Sequence, residues 1–96
     1  MDKSSLSRWR SLDAHIVLEA LADYAKKDAT YRPVTSAQSS RWHANLNGRD
    51  FELLLTGPKF WDTRQAVGGG GAVDLAIHLT GKNFRAAIRL LKSHAL

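Results

Sequence analysis

The sequence contains no cysteine among its 96 residues. This absence excludes disulfide bonds and the thiolate ligands of a structural zinc site, so the fold must rest on packing. Long hydrophobic runs are missing too: no segment approaches the roughly 18 apolar residues that a membrane-spanning helix needs. Residues 1–12 also lack the apolar core of a signal peptide. The sequence therefore predicts a soluble domain without a membrane partner, in a reducing cytoplasm.

Negative charge is in the minority. The chain has 14 Lys and Arg residues against 9 Asp and Glu residues, for a formal net charge of +5. The length suits one small domain and argues against a multilayer enzyme. In a domain of this size, a basic balance spread along the chain favours contact with a polyanion, nucleic acid before a membrane surface.

The N-terminal part predicts one helix behind a basic leader. Residues 1–10 are interpreted as a flexible lead-in that can dock through Trp9. Ser11 is a suitable N-cap, and the apolar residues of 16–25 follow helical spacing. The remainder, 11–96, is predicted to be a single domain.

The C-terminal part predicts two further helices after the glycine run 68–71. The first begins at Ala72 and ends at Gly81, a favourable C-terminal residue. Asn83 caps the last helix, which is amphipathic. Its apolar side comprises Phe84, Ala87, Ile88 and Leu91, and its polar side is cationic, with Lys82, Arg85, Arg89 and Lys92.

The middle of the chain predicts three antiparallel strands. Asn47-Gly48 is a strong hairpin signal, and Gly57-Pro58 supplies a second tight turn. The resulting register gives a core face of Trp42, Ala44, Phe51, Leu53 and Leu55. The outer face comprises Arg41, His43, Leu54, Lys59 and Trp61, with Asp50 and Glu52 towards the first hairpin. The predicted fold class is α+β: an N-terminal helix, a three-stranded antiparallel meander, and two C-terminal helices packed on one face of the sheet.

The outer face is aromatic and basic, which is the composition of a surface that stacks bases and holds phosphates. An alternative is that Trp61 covers a second apolar surface. The glycine run could offer backbone N–H groups to an anion, or could be a packing step between sheet and helix. The candidate nucleic-acid-binding residues are Arg41, His43, Lys59, Trp61, Arg64, Gly69, Gly70, Lys82 and Arg85.

The sequence gives little indication of a catalytic or metal-binding site. A nucleotide P-loop is excluded because Ala76 stands where its first glycine would precede Gly81-Lys82, and Asn83 replaces the Ser or Thr. The four histidines are widely separated. We therefore predict no catalytic residues, no metal and no cofactor.

The C-terminal half resembles the N-terminal zinc-binding domain, a CHC2-type zinc ribbon, of DnaG-like bacterial, phage and plasmid primases. The likeness covers about half of the chain well. The matching residues are Phe60-Trp61, Gly70-Gly71, Ala72-Val73-Asp74-Leu75 and Gly81 to Leu91, whose Gly-x-x-Phe-x-x-Ala-Ile pattern is unusual. The resemblance implies a module that contacts single-stranded template DNA for a neighbouring catalytic domain.

One departure from that family bears on function. The family binds zinc through three cysteines and a histidine, whereas this chain has Asp62, Thr63 and Arg64 after Trp61 and no cysteine. The resemblance therefore implies a zinc-free, degenerate form that binds single-stranded DNA in a primase-like or plasmid or mobile-element replication or transfer protein. The alternative is a protein-interaction module that docks onto a primase, helicase or relaxase. Either would be a monomer or a weak dimer.

Overall fold

The computed structural model describes residues 3–32 and 38–96. In chain order its elements are α1 (Lys3–Ser11), α2 (Ala14–Leu21), β1 (Tyr24–Lys27), β2 (Ser40–Leu46), β3 (Arg49–Thr56), β4 (Lys59–Asp62), β5 (Val67–Gly70), α3 (Ala72–Thr80) and α4 (Phe84–Ser93). None of the helices in these two ranges has the length and apolar character needed to cross a membrane.

The strands form one antiparallel sheet in the order β1-β2-β3-β4-β5. Asn47 and Gly48 both have positive φ, 52° and 79°, as the tight turn between β2 and β3 requires. Both predicted registers are confirmed: Trp42 lies opposite Leu53, and Leu54 lies opposite Trp61.

The prediction of a three-stranded meander with three helices was wrong, because the described chain has five strands and four helices. The predicted helical stripe breaks after Leu21, and Tyr24–Lys27 pairs with β2 as strand β1. Apolar residues at 16–25 fit a helix followed by a strand as well as one long helix. A main-chain hydrogen bond to β2 favours the strand, because the N–H of Asp23 donates to the Asn45 carbonyl at 2.8 Å.

The fourth helix, α1, occupies the segment interpreted as a lead-in. Ser11 is its last residue and not the N-cap of the next helix. Trp9 lies on its inner side and is only 1% exposed, so α1 is attached to the core through one large indole. Asp13 precedes α2 instead, without a side-chain cap hydrogen bond.

The helices cover one face of the sheet and enclose the core. The buried sheet residues are Trp42, Ala44, Leu46, Phe51, Leu53, Leu55 and Phe60, and the buried helical residues include Trp9, Val17, Leu18, Leu75, Leu79 and Leu91. All five residues predicted for the core face of the sheet are among them. Phe84, predicted on the apolar side of the last helix, is instead 50% exposed at the start of α4.

The predicted C-terminal residue of α3 and the predicted N-cap of α4 are confirmed. Gly81 terminates α3 in the left-handed conformation, with φ of 71°, and its N–H donates to the Ile77 carbonyl. The Oδ1 atom of Asn83 accepts a hydrogen bond of 2.9 Å from the N–H of Ala86 at the start of α4.

Gly71, between β5 and α3, has a conformation that only glycine adopts easily, with φ of 93° and ψ of 160°. It is buried, and its N–H donates to the Pro58 carbonyl at 2.9 Å. The direct passage from strand into helix therefore depends on this glycine.

We expect Gly71→Ala to lower the free energy of unfolding by about 3 kcal/mol, because alanine disfavours this backbone region strongly. Gly57→Ala is the matched control, since Gly57 has φ of 55° and open space around it, and its cost should be about 1 kcal/mol. Urea unfolding of both variants measures the difference. Equal losses in the two variants would contradict the assigned role of Gly71.

Candidate nucleic-acid interface

The face of the sheet opposite the helices carries the polar and aromatic residues of the strands, and we call it the open face. Strand alternation and register place on it Tyr24, Lys26, Arg41, His43, Asn45, Asp50, Glu52, Leu54, Lys59, Trp61 and Gly68. Of the sequence-predicted site residues, Arg41, His43, Lys59 and Trp61 are therefore brought to one surface.

Trp61 is the largest exposed side chain on β4, with 46% of its surface exposed. Its indole lies over Gly68 of the neighbouring strand, where a Cβ atom would come within 2.7 Å of Cε3 of the ring. The glycine thus gives the ring room to lie against the sheet, with its outer side exposed. Such a half-exposed indole is a surface on which a nucleic-acid base can stack.

Gly69 performs the corresponding role on the inner face. A Cβ atom there would lie 2.9 Å from Cε1 of Phe60 and 3.2 Å from Cβ of Asp74. The consecutive glycines therefore accommodate two aromatic rings, one on each side of the sheet. Sequence analysis left open a phosphate contact or a packing step, and the contacts of Gly68 and Gly69 are packing contacts.

The backbone N–H of Gly70 is directed to the Asp74 carboxylate, with an N to Oδ2 distance of 3.3 Å. An anion would have to compete with this carboxylate for the amide. The geometry at Gly70 therefore disfavours a phosphate contact.

Two exposed cations lie near the open face, Lys59 on β4 and Arg64 beside residues of β1, β2 and β3. Lys59 is exposed and precedes Trp61 by two residues, so both side chains leave the same face of β4. Arg64 follows β4 and is exposed, and it lines a shallow cavity of about 220 Å³ together with Tyr24, His43 and Asp50. Exposed cations beside an aromatic ring suit a nucleic-acid backbone.

Arg41, in contrast, is held by carboxylates. Its Nε atom donates to Oδ2 of Asp28 at 2.9 Å, and Nη1 lies 3.8 Å from Oε1 of Glu52. Its guanidinium also lies 5.3 Å from the centre of the Tyr31 ring. The hydrogen bonds that Arg41 donates to the Asp28 carboxylate raise the pKa of Arg41. Its charge is thus largely matched within the protein.

Asp28 is the residue that sequence analysis missed on this face. Its carboxylate accepts hydrogen bonds from the side chain and N–H of Thr30 and from Arg41, and these contacts hold its pKa well below the usual range. His43 lies opposite Glu52, but its nearest carboxylate in the described structure is Asp28, 3.7 Å from Nε2. Asp28 lies just after β1, a strand that the sequence did not predict, so no sequence signal connected it with Arg41.

Lys82 and Arg85 belong to the helical layer. Lys82 follows α3, and Arg85 is the second residue of α4, with both side chains exposed. The structure therefore does not bring these two candidates together with Trp61. The four cations of this helix region form a separate basic surface.

A buried, hydrogen-bonded pair of side chains, Asp62 and His78, organises the turn that carries Arg64. Asp62 is 1% exposed, and its Oδ1 accepts hydrogen bonds of 2.9 Å from the N–H groups of Arg64 and Gln65. Its Oδ2 lies 2.6 Å from Nε2 of His78 on α3. The His78 ring packs between Phe51 and Phe60, at 5.8 Å and 5.3 Å between centres. Sequence analysis did not foresee this pair because 16 residues separate its members.

The pair does not extend to a metal site. Within the described residues, no group of three or more His, Cys, Asp or Glu side chains could hold a metal ion. Burial alone would raise the pKa of Asp62, but hydrogen bonds from Gln65, His78 and Arg64 more than offset it, and the pKa is lowered. The carboxylate is therefore a structural anchor for the turn.

Comparison of the chain with models of known protein families, with curated proteins and with solved structures gives no match.

We expect Gly68→Ala to displace the Trp61 indole and to lower the free energy of unfolding by about 1–3 kcal/mol, because the added methyl group overpacks the ring. Gly70→Ala is the matched control on the same strand and face, since its Cβ would meet only Cγ of Lys59 at 3.8 Å. Urea unfolding and the NMR signal of the Trp61 indole N–H measure both effects. An unmoved indole signal in Gly68→Ala would contradict this packing.

We expect Asp62→Asn to lower the free energy of unfolding by about 1–3 kcal/mol at neutral pH, because buried hydrogen bonds lose their charged acceptor. The folded chain binds the Asp62 proton less readily than the unfolded chain, so this stabilisation is complete above about pH 4 and is lost below it.

Urea unfolding between neutral pH and acid pH should therefore show a smaller loss of stability in Asp62→Asn than in the unmodified chain. Asp50→Asn is the control, because Asp50 is exposed on the open face. Identical acid profiles for the unmodified chain and Asp62→Asn would refute the anchoring role.

Proposed function

We propose that this chain is a nucleic-acid-binding module that holds single-stranded DNA on the open face, centred on Trp61. The observation that carries the proposal is the exposed indole lying against Gly68, with Lys59 on the same strand and Arg64 after its end. Sequence-independent binding of single strands combines such a stacking ring with cations for the backbone.

The charge distribution supports one half of the face over the other. Asp28 and Glu52 pair with Arg41, and Asp50 lies on the same half of the face, on β3. These carboxylates repel phosphates. Strands β4 and β5 contribute Lys59, Trp61 and side-chain-free glycine to this face. The bound strand should therefore follow β4, with Trp61 stacking a base and Lys59 near a phosphate.

A single strand fits this surface better than a duplex. Stacking on an indole requires a base whose face is free, and the bases of a duplex are already stacked on each other. The open face is a sheet surface, whereas reading a duplex in the major groove usually requires an inserted helix or ribbon. The proposed substrate is therefore single-stranded DNA.

The wider role that we propose is binding without catalysis, in a primase-like or plasmid or mobile-element replication or transfer protein of the cytoplasm. It rests on the resemblance of residues 60–91 to the primase zinc ribbon. In place of zinc, the Asp62–His78 pair connects the end of β4 to α3.

A second candidate is a protein-interaction module that uses the same face to dock onto a primase, helicase or relaxase. The carboxylates of Asp50 and Glu52 on the open face favour it, because they repel phosphates but can pair with cations of a protein partner. The salt dependence of binding distinguishes the two candidates, since release of counterions makes nucleic-acid binding weaken steeply as the salt concentration rises.

Trp61→Ala should weaken binding of an oligothymidine about 5-fold to 100-fold, because stacking contributes roughly 1–3 kcal/mol per base. Phe84→Ala is the matched control: Phe84 is an equally exposed aromatic residue, 50% against 46%, but lies on the helical layer. Fluorescence anisotropy of a labelled oligonucleotide at two salt concentrations measures both variants.

Circular dichroism should show that both variants remain folded. The proposal requires that binding is detectable at low salt, weakens at moderate salt and depends on Trp61 but not on Phe84. No binding at low salt, or equal losses in the two variants, would contradict it.

A further inference from the structure

Strand β5 has a free edge. Within residues 3–32 and 38–96, it is hydrogen-bonded to β4 alone. The N–H of Gly71 donates to the Pro58 carbonyl. Successive residues of an antiparallel strand direct their N–H and carbonyl groups alternately towards and away from the neighbouring strand. The N–H groups of Gly68 and Gly70 are therefore directed away from β4. The Asp74 carboxylate accepts a hydrogen bond from the N–H of Gly70. The N–H and carbonyl groups of Gly68 are directed away from the sheet at this edge.

This edge lacks the protection found at the other side of the sheet. Edge strands are commonly protected by charged side chains, above all lysine, and β1 ends in Lys26 and Lys27. On β5, Gly68 and Gly70 have no side chains that would keep another backbone away. An added strand could therefore approach β5 closely.

A groove runs beside this edge, between β5 and α3. It has a volume of about 310 Å³, and its apolar walls are Phe60, Val67 and Ile77. Val67 is 44% exposed, although it lies on the helical side of the sheet opposite Asp62. The groove therefore has space and apolar surface for an aliphatic side chain.

The charge of the groove is acidic. Asp74 is exposed and lines it, and the other titratable group, His78, is largely buried against Asp62. Asp74 lies one helical turn before Ile77 and His78 on α3, towards the Gly70 end of the strand. A cationic side chain is the complementary partner at that end.

We propose that β5 and this groove bind an extended segment of a partner protein, which adds a sixth strand to the sheet. The segment places an aliphatic side chain between Val67 and Ile77, and a Lys or Arg two residues away, on the same face, near Asp74. Strand addition of this kind derives affinity from main-chain hydrogen bonds and specificity from alternate side chains.

The occupant is a partner and not the β5 strand of a second copy, because β5 contains no cation that could pair with Asp74. The site goes beyond the proposed DNA surface: it lies on the edge and the helical side of the sheet, whereas Trp61 lies on the open face. The two activities can therefore be tested separately.

The test begins with a phage-displayed library of random linear peptides about ten residues long, enough to span β5 in extended form. The library is selected on the intact chain. We expect enriched peptides to share an aliphatic residue and a Lys or Arg two positions apart. The affinity of one enriched synthetic peptide is then measured by fluorescence anisotropy.

Val67→Gln should weaken peptide binding at least about tenfold by filling the groove with a polar amide. Ile16→Gln is the matched control, because Ile16 is a β-branched residue of similar exposure, 40%, on α2. N-methylation of the peptide amide that faces Gly68 should cost a similar factor, and N-methylation of the next amide should not. This second measurement leaves the protein unchanged.

Failure to enrich any peptide, or enriched peptides that bind Val67→Gln as well as the unmodified chain, would overturn the proposal. So would sedimentation that shows a dimer abolished by Val67→Gln, since the edge would then belong to a second copy. Val67→Gln should bind oligothymidine like the unmodified chain. If neither the unmodified chain nor Val67→Gln bound DNA, the DNA proposal would be refuted and the peptide result would be unaffected.

Discussion

The contact on which the structure depends is the pairing of β4 with the glycine strand β5. Phe60 and Trp61 are neighbours on β4 and therefore point to opposite faces, and each ring occupies space that a side chain at Gly69 or Gly68 would fill. One ring closes the core beneath α3, and the other lies exposed on the open face. A strand without side chains thus connects the packing of the core to the proposed binding surface.

Two constraints fix the ends of this unit. Gly71 turns the chain from β5 into α3 in a conformation that other residues disfavour, and Asp62 fixes the turn before β5 through two backbone N–H groups and His78. The register of β5 on β4, and with it the positions of Trp61 and Arg64, follows from both. Glycine here serves close packing of rings and backbone, and not flexibility.

Sequence patterns predicted the central part of the fold because its signals are local. Asn47-Gly48 defines one hairpin, Gly57-Pro58 the next, and period-two alternation then assigns Trp42 and Trp61 to opposite faces. The edge strands were missed for different reasons. Glycine has low strand propensity, so β5 depends on rings contributed by β4, and the short β1 continues an apolar pattern that also fits a helix.

The candidate site could be predicted only in part, since alternation gives the face of a residue but not its ionic partners. Arg41 was correctly placed on the open face, yet its charge is matched by Asp28, 13 residues away in the sequence. Lys82 and Arg85 have the right charge but belong to the helical layer.

The most direct test of DNA binding on the open face is an NMR titration of amide and indole N–H signals with an oligothymidine of about ten nucleotides. The shifts should concentrate on β4, β5 and the indole of Trp61, with small changes in α4. Shifts confined to the cations of α4, or no shifts at low salt, would contradict binding on the open face.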